Sequence, residues 1–382
     1  MLDAAYYAAL GLSSIRDKVL AGERLSFDDG LALFACPDLT AVGALAHHVR
    51  CRLHGDATFY VVNRQINYTN VCVNGCTFCA FRRDSEDQEG AFRLSREEIL
   101  DRLRAADATP LHLDELHIVG GCHPELPLSW FEELLRAARA LDPALPVKAF
   151  TPVEIAHFAR LEGISTREVL TRLKAAGLVM MPGGGAEIFD EELRARLCPH
   201  KATSADWLRI SGEAHELGIR TNCTMLFGHL ETPAMRVDHL CRLREEQQDR
   251  SGGFTCFIPL PFLTRNSRLT LPEEKLGPQR GLDQLRTVAV ARLLLDNIPH
   301  IKAYWIMLGV KQAQTALCYG ADDLDGTIIE EHIGHMAGAT SAQGLTIREL
   351  EDMIRQAGFR PVRRNATFAE VPASAAPSEV RP

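Results

Sequence analysis

The sequence predicts an α/β protein: a (β/α)₈ TIM-like barrel with an N-terminal helical extension and a short C-terminal extension. Eight short β-like runs alternate with helical runs over about 260 residues, which is the number and size expected of such a barrel. Helix-capping patterns separate the runs, as at Ser95 with Glu98 and at Ser165 with Glu168. The alternation and the caps therefore predict the same fold class.

The chain divides by pattern and composition into four predicted parts. Residues 1–57 form the helical extension, in which Ser26 with Asp29 begins one helix and 38–53 forms a longer one. Residues 58–339 form the barrel. Residues 340–370 form a C-terminal helix, begun at Thr346, and an extension packed on the barrel. Residues 371–382 are rich in Pro, Ala and Ser, which predicts a disordered tail.

Within the barrel, both element types follow from periodicity and caps. The predicted strands are 59–67, 115–119, 147–150, 178–181, 220–227, 254–259, 301–307 and 317–321. Predicted helices begin at Ser95, Leu128, Ser165 and Thr203, and the third of them ends at Gly177.

Composition excludes several classes of protein. The 382 residues are 46% hydrophobic with a net charge of −8, which is globular composition rather than disordered, collagen-like or coiled-coil. The sequence has no dense run of Lys and Arg, which argues against binding to nucleic acid. It also has no stretch of roughly 18 uncharged apolar residues, so no membrane span is predicted. The N-terminal residues lack the pattern of a signal peptide, so a cytoplasmic location is predicted.

Eleven cysteines are spread widely along the chain, and an odd number predicts reduced thiols rather than a disulfide framework. Most are expected to be small apolar core residues, Cys122, Cys223 and Cys256 among them.

Cys72, Cys76 and Cys79 are the exception, because they share one loop with C-x₃-C-x₂-C spacing. The loop follows the first predicted strand, at the barrel face where active sites are built. Three thiolates can hold a [4Fe–4S] cluster and leave one iron open to the amino and carboxylate groups of S-adenosylmethionine. A zinc site is the alternative, although zinc normally takes four protein ligands and no second C-x₂-C occurs.

With Phe78 directly before the third cysteine, the motif resembles the CxxxCxφC motif of the radical S-adenosylmethionine superfamily. The stretches 67–84, 119–127, 148–160, 181–190 and 218–240 resemble the aminodeoxyfutalosine synthase family, which acts in the futalosine route to menaquinone. The MPGGGAEIFD and FGHLETP segments carry the more specific part of this resemblance, which extends over nearly the whole chain.

The resemblance implies a [4Fe–4S] cluster and S-adenosylmethionine as a cosubstrate. The 5′-deoxyadenosyl radical is expected to add to the double bond of 3-[(1-carboxyvinyl)oxy]benzoate. Aryl migration and loss of a carboxyl group then give 6-amino-6-deoxyfutalosine. A reductant such as flavodoxin or ferredoxin is expected as partner. Two alternatives stay open: cyclic dehypoxanthinyl futalosine synthase of the same pathway, and a zinc-stabilised, non-catalytic binding protein.

The resemblance also implies contacts to S-adenosylmethionine from the ends of successive strands. Paired glycines take the position of a GGE-type motif, but Cys122 replaces the acidic residue, so only backbone contacts are implied there. The ribose is assigned to Glu187, and Glu231 is expected to support the site rather than react. The full predicted set is Phe78, Gly120, Gly121, Glu187, Thr224, Gly228 and Glu231.

A substrate with two carboxylates calls for cationic side chains or aligned N–H donors. Arg82 and Arg83 directly follow the cysteine loop, Asn70 precedes it, and His123 follows the second predicted strand. These four are the predicted substrate contacts, and His123 is also the candidate proton donor. Glu154 and His157 are weaker candidates after the third strand.

Overall fold

The computed structural model describes residues 2–107, 112–249, 252–277 and 279–372. Of the predicted tail 371–382, the residues from 373 onward lie outside this described part.

Four helices precede the first strand: α1 (Ala4–Ala9), α2 (Ser13–Ala21), α3 (Phe27–Ala35) and α4 (Leu39–His54). The predicted cap of α3 is confirmed, since the Ser26 hydroxyl accepts the Asp29 N–H and the Asp29 carboxylate accepts the Ser26 N–H. The predicted helix 38–53 is confirmed as α4, whose apolar face is buried at Leu45 and Ala46.

The described residues that follow form ten strands: β1 (Ala57–Val61), β2 (Asn63–Ile66), β3 (Glu115–Ile118), β4 (Val147–Ala149), β5 (Leu178–Met181), β6 (Arg220–Phe227), β7 (Phe254–Pro261), β8 (His300–Ile301), β9 (Asp323–Gly326) and β10 (Arg360–Arg364). Strands β2 to β8 form a curled parallel sheet in chain order, and β10, β1 and β9 form a second parallel sheet. The second sheet joins the edges of the first, because Lys302 pairs with Asp323 and β1 continues into β2. The fold is therefore the predicted TIM-like barrel.

Helices surround the sheet: α5 (Arg96–Asp107), α6 (Leu128–Leu141), α7 (Pro152–Glu162), α8 (Thr166–Ala176), α9 (Glu191–Leu197), α10 (Ser204–Glu216), α11 (Pro233–Asp249), α12 (Arg280–Leu294), α13 (Trp305–Leu308), α14 (Val310–Ala316), α15 (Ile333–Met336) and α16 (Ile347–Gln356). The predicted starts at Ser165 and Thr346 are confirmed by side-chain caps, and Gly177 ends α8 as predicted. Across the described parts of the chain, we find no helix with the length and apolarity that a bilayer crossing requires.

Three predicted strands need correction. The segment 59–67 is two strands separated at Val62, because β1 pairs with β9 and β10 whereas β2 pairs with β3. Of the predicted seventh strand, 301–307, only Ile301 belongs to a strand, β8, and helix α13 begins at Trp305. The segment 317–321 is wrong: it begins with a 3₁₀ turn, and the strand is β9. Its inward residues are buried acids paired with cations, so an apolar pattern could not locate it.

Candidate active site

A cavity of about 330 Å³ opens at the carboxyl ends of the strands. Its walls come from the loops after β2, β3, β4 and β5, from β6 and β7, and from the segment between β9 and α15. Cys72, Cys76 and Cys79 all line this one cavity. The barrel thus brings the predicted metal ligands to its catalytic face.

Backbone hydrogen bonds hold the cysteine loop in place. The Cys72 N–H donates to the Arg83 carbonyl at 3.0 Å, and the Thr77 N–H donates to the Leu197 carbonyl at 2.8 Å. Gly75 adopts a left-handed φ of 65°, which favours glycine and lets the loop turn between the first two cysteines. Three sulfur donors on one anchored loop fit the donor set of an iron–sulfur cluster.

The three thiols differ in acidity. Burial raises the pKa of Cys76 to about 12 and also raises that of Cys79, against the effect of the nearby Lys201 ammonium. A hydrogen bond from the Cys122 thiol lowers the pKa of Cys72 to about 6. Because a metal binds the thiolates, cluster assembly must displace protons from the two buried thiols. Cys122, expected to be structural, is thus a neighbour of Cys72 and lines the cavity.

Gly120 and Gly121 bring the end of β3 against the cysteine loop. A Cβ on Gly121 would lie 2.2 Å from the Val71 carbonyl oxygen, and one on Gly120 would lie 2.8 Å from the Tyr68 ring. The Gly121 N–H donates to the Thr69 carbonyl, and the Gly120 N–H donates to Glu154. An ammonium group needs acceptors, so the carbonyl oxygens here, rather than these N–H groups, suit an amino acid's nitrogen.

Glu187 and Lys201 form a buried ion pair on the cavity wall. Their Oε1 and Nζ atoms are 2.6 Å apart, and Nζ lies 5.5 Å from the centre of the Phe78 ring. Phe78 and Glu187 were predicted as cofactor contacts, whereas Lys201 was not, since it follows the predicted loop by more than ten residues. The pair supplies a cation and an anion side by side, next to the cysteines.

Thr224 lines the cavity and fastens β6 to the glycine run after β5. Its hydroxyl donates to the Gly183 carbonyl at 2.6 Å. A Cβ on Gly183 would lie 2.6 Å from the Asn222 carbonyl oxygen, so this glycine permits close contact between the two strands.

Gly228 and Glu231 lie outside the cavity lining, in the turn that follows β6. The Glu231 carboxylate accepts the N–H groups of Gly228 and His229 and pairs with Arg236. Burial opposes ionisation, but these partners hold the pKa of Glu231 below its usual value. Both residues stabilise the turn that follows β6.

The four predicted substrate contacts differ in position. Arg82 lines the cavity and pairs with Asp84. The Arg83 guanidinium donates to carbonyls of its own loop, including those of Ala80 and Glu89.

The other two of the four are held by their own neighbours. The amide of Asn70 is bonded at Gly90 and Phe92. His123 bonds to Glu86. Neither Asn70, Arg83 nor His123 is part of the lining.

Of the two weaker candidates, only Glu154 lines the cavity, while His157 bonds to the His123 carbonyl. Glu154 accepts the Tyr68 hydroxyl at 2.8 Å and the Thr151 N–H at 2.7 Å. Burial nevertheless raises its pKa to about 7. A carboxyl group with a pKa near neutral pH therefore lies beside Gly120 and Gly121. The residue after this glycine pair is Cys122, where the related motif has an acid.

The inner part of the cavity contains polar residues that sequence reasoning missed. They are Gln65, His117, Lys148, Asn222, Lys302 and Asp325. The signal was present, because Lys148 and Lys302 are single lysines within short apolar strand segments, VKAF and IKAYW. A lysine in such a segment must be paired or functional, since an unpaired buried charge is costly.

A barrel whose first loop brings three cysteines into a deep cavity defines an enzyme class that holds a metal cluster on that loop. The chain belongs to the radical SAM superfamily, whose family model matches residues 66–243. Residues 251–376 match the model described as the CofH/MqnC C-terminal region. The protein is therefore a radical SAM enzyme, and the alternative of a non-catalytic zinc protein is wrong.

Several named enzymes resemble this chain over nearly its whole length. The chain is 46% identical to the aminodeoxyfutalosine synthase of Thermus thermophilus, over 94% of this chain and 96% of that protein. It is 44% identical to the Streptomyces coelicolor enzyme of the same name, over 93% and 92%. It is also 43% identical to the 5-amino-6-(D-ribitylamino)uracil–L-tyrosine 4-hydroxyphenyl transferase of Methanopyrus kandleri, over 90% and 93%.

Solved structures with low sequence identity share the fold. Methylornithine synthase superposes with a TM-score of 0.73 at 18% identity, covering 91% of this chain and 97% of that one. The hydrogenase maturase HydG from Carboxydothermus hydrogenoformans gives 0.72 at 18% identity, covering 94% and 80%.

Proposed function

We propose that this enzyme catalyses the aminodeoxyfutalosine synthase reaction, in which 3-[(1-carboxyvinyl)oxy]benzoate and S-adenosylmethionine give 6-amino-6-deoxyfutalosine. The observation that carries the proposal is the 46% identity with the Thermus thermophilus enzyme over almost the full length of both chains. The cavity supports it, since it combines cysteines, a buried ion pair and an inner polar region in one space.

Cys72, Cys76 and Cys79 would hold the [4Fe–4S] cluster that the superfamily implies. When bound, the cluster supplies the electron that cleaves S-adenosylmethionine to methionine and the 5′-deoxyadenosyl radical. An external one-electron donor, such as a flavodoxin or a ferredoxin, supplies that electron.

The chain's own residues orient the cosubstrate. Lys201 is the cation available to the carboxylate of the methionine part, and Glu187 beside it can accept ribose hydroxyls. Phe78 offers an apolar face next to the third cysteine. Leu260 and Phe262, which pack in one apolar cluster with Phe78, exclude water, which protects a reactive radical from side reactions.

A second candidate is transfer of the 4-hydroxyphenyl group of tyrosine to a ribitylaminouracil. The observation that favours it is the 43% identity with the Methanopyrus kandleri transferase. Cyclic dehypoxanthinyl futalosine synthase activity is the third, favoured by the match to the CofH/MqnC C-terminal region.

Incubation with each substrate set distinguishes these activities. The protein is reconstituted with iron and sulfide without oxygen, reduced with dithionite, and given S-adenosylmethionine with one of the three substrates. Mass spectrometry is expected to detect 6-amino-6-deoxyfutalosine only with the enolpyruvyl benzoate. Turnover of tyrosine with the ribitylaminouracil alone, or of dehypoxanthinyl futalosine alone, would overturn the proposal.

A further inference from the structure

Two buried lysines meet in the inner part of the cavity. Lys148 lies in the middle of β4 and Lys302 directly follows β8, and their side chains are 3% and 1% exposed. Both line the cavity. Strand residues lie below the loops at the strand ends, so the lysines lie deeper in the barrel than the cysteine loop.

Acidic residues hold both ammonium groups in position. Lys148 Nζ lies 2.5 Å from Oε1 of Glu115, and Lys302 Nζ lies 3.0 Å from Oδ1 of Asp325. An ammonium group has three N–H donors, so these ion pairs leave donors for a ligand. Asp325 adopts a left-handed φ of 68°, a strained conformation of the kind that concentrates at functional sites.

The acids around these lysines already have partners within the protein. Asp323 accepts the Arg364 guanidinium at 2.5 Å, and Glu115 lies 3.9 Å from another nitrogen of the same guanidinium. His117 also lines the cavity, and burial together with Lys148 lowers its pKa to about 3, so it is neutral. In this inner part of the cavity the cations are therefore Lys148 and Lys302, which suits an anionic ligand rather than a cationic one.

The same cavity also has an apolar wall. It consists of Ile258, Leu260, Phe262, Met307 and Ile333. Neighbouring apolar and cationic surfaces recognise a ligand that has an aromatic ring and a carboxylate on that ring.

We propose that Lys148 and Lys302 together bind the carboxylate on the aromatic ring of the substrate, with the ring packed against the apolar wall. This assignment rests on the proposed function. It makes the two lysines, rather than Arg83, Asn70 and His123, the residues that bind the ring carboxylate. It places the ring carboxylate deep in the barrel. The reacting double bond, at the other end of the substrate, then faces the cysteine loop.

Two unreactive ligands test this assignment. One is 3-(1-carboxyethoxy)benzoate, which lacks the double bond, and the other is its ring carboxamide. Affinities are measured by calorimetry with the reconstituted, unreduced holoenzyme in the presence of S-adenosylmethionine. The wild-type protein is expected to bind the benzoate about 10- to 100-fold more tightly than the amide, because charge-assisted hydrogen bonds are strong.

The variants Lys302→Met and Lys148→Met are each expected to reduce this preference to less than about threefold, mainly by weakening the benzoate. Lys302→Gln keeps a hydrogen-bond donor on a side chain of similar length, and it takes the place of Lys302→Met if that variant misfolds. Lys311→Met removes an exposed lysine of α14 as a matched control and leaves the preference intact. Circular dichroism and iron content confirm that each variant is folded and loaded.

A preference for the benzoate that persists in both lysine variants overturns the assignment. Wild-type turnover of 3-[(1-carboxyvinyl)oxy]benzoate is measured in parallel. If the wild-type protein turns over the substrate but the lysine variants keep the preference for the benzoate, the proposed function stands and only the assignment of the lysines is wrong. Absence of both turnover and binding rejects the two together.

Discussion

Nζ of Lys201 lies 2.6 Å from Oε1 of Glu187, and the two side chains are only 9% and 11% exposed at the cavity wall. The pair lies among the cysteines, since Cys76 and Cys198 are its anionic neighbours when ionised. An amino acid carboxylate entering the cavity would find this ammonium already oriented by Glu187.

Lys201→Met is therefore expected to weaken S-adenosylmethionine binding about 10- to 100-fold, since a charge-assisted hydrogen bond contributes about 1.5–3 kcal/mol. Equilibrium dialysis with the reconstituted enzyme measures it. Lys201→Arg keeps the charge and should retain most of the affinity. An unchanged dissociation constant in the Met variant would show that Lys201 does not contact the cosubstrate.

Gly121→Ala should impair cluster assembly, because the added methyl group would lie 2.2 Å from the Val71 carbonyl oxygen and displace the cysteine loop. We expect iron and sulfide content after reconstitution to fall at least about twofold while the fold is retained, since such local strain costs on the order of 1–3 kcal/mol. Gly281→Ala in α12 is the control, because its methyl group would meet only Gln312 at 3.7 Å. Equal iron content in the two variants would contradict this role of Gly121.

Glu231→Gln should destabilise the fold by about 1–3 kcal/mol, because it removes one of the two carboxylates that pair with the buried Arg236 guanidinium and leaves only Asp283. Chemical denaturation measures the free energy of unfolding. Asp352→Asn on the exposed face of α16 breaks comparable ion pairs in solvent and should cost less than about 1 kcal/mol. A loss no larger than in this control would mean that Asp283 alone is a sufficient partner for Arg236.

Protonated His335 stabilises the fold, and this stabilisation is lost at alkaline pH. A hydrogen bond to Glu331 raises the pKa of His335 to about 9. A raised pKa means that the stabilisation is complete below the unfolded value near 6.5 and is lost as the pH rises through 9. Because solvent screens this ion pair, it contributes about 1–2 kcal/mol to the free energy of unfolding.

His335→Gln tests this dependence. The variant should melt at a lower temperature than the wild-type protein at pH 6, and the difference should shrink by pH 10. A difference that stays constant over that range would remove the charged imidazole from the account.

The position of the three cysteines in the cavity was predictable, because they lie on one loop and their spacing is visible in the sequence. Phe78, Gly120, Gly121, Glu187 and Thr224 were found in the same way, as short motifs at strand ends, and all line the cavity. Their roles toward a bound cosubstrate stay predictions.

Local patterns mark Lys148 and Lys302 as unusual lysines, but they do not predict the inner cavity that the two side chains share. Lys148 and Lys302 are more than 150 positions apart, and only closure of the barrel brings them together. Strand β9 escaped for a related reason: its buried acids are stabilised by Lys302 and Arg364 from distant strands, so no apolar periodicity marks it. His123 follows a strand end as predicted, but its ring bonds to Glu86 and lies outside the cavity lining, so its role stays a prediction.

Anaerobic reconstitution of the wild-type protein and of the triple variant Cys72→Ala, Cys76→Ala and Cys79→Ala tests the central claim most directly. The measurement is iron and acid-labile sulfide per chain, together with reductive cleavage of S-adenosylmethionine to 5′-deoxyadenosine. We expect about four iron and four sulfide per wild-type chain, with cleavage, and neither in the triple variant. A triple variant that still binds iron and sulfide and still cleaves S-adenosylmethionine would contradict the account.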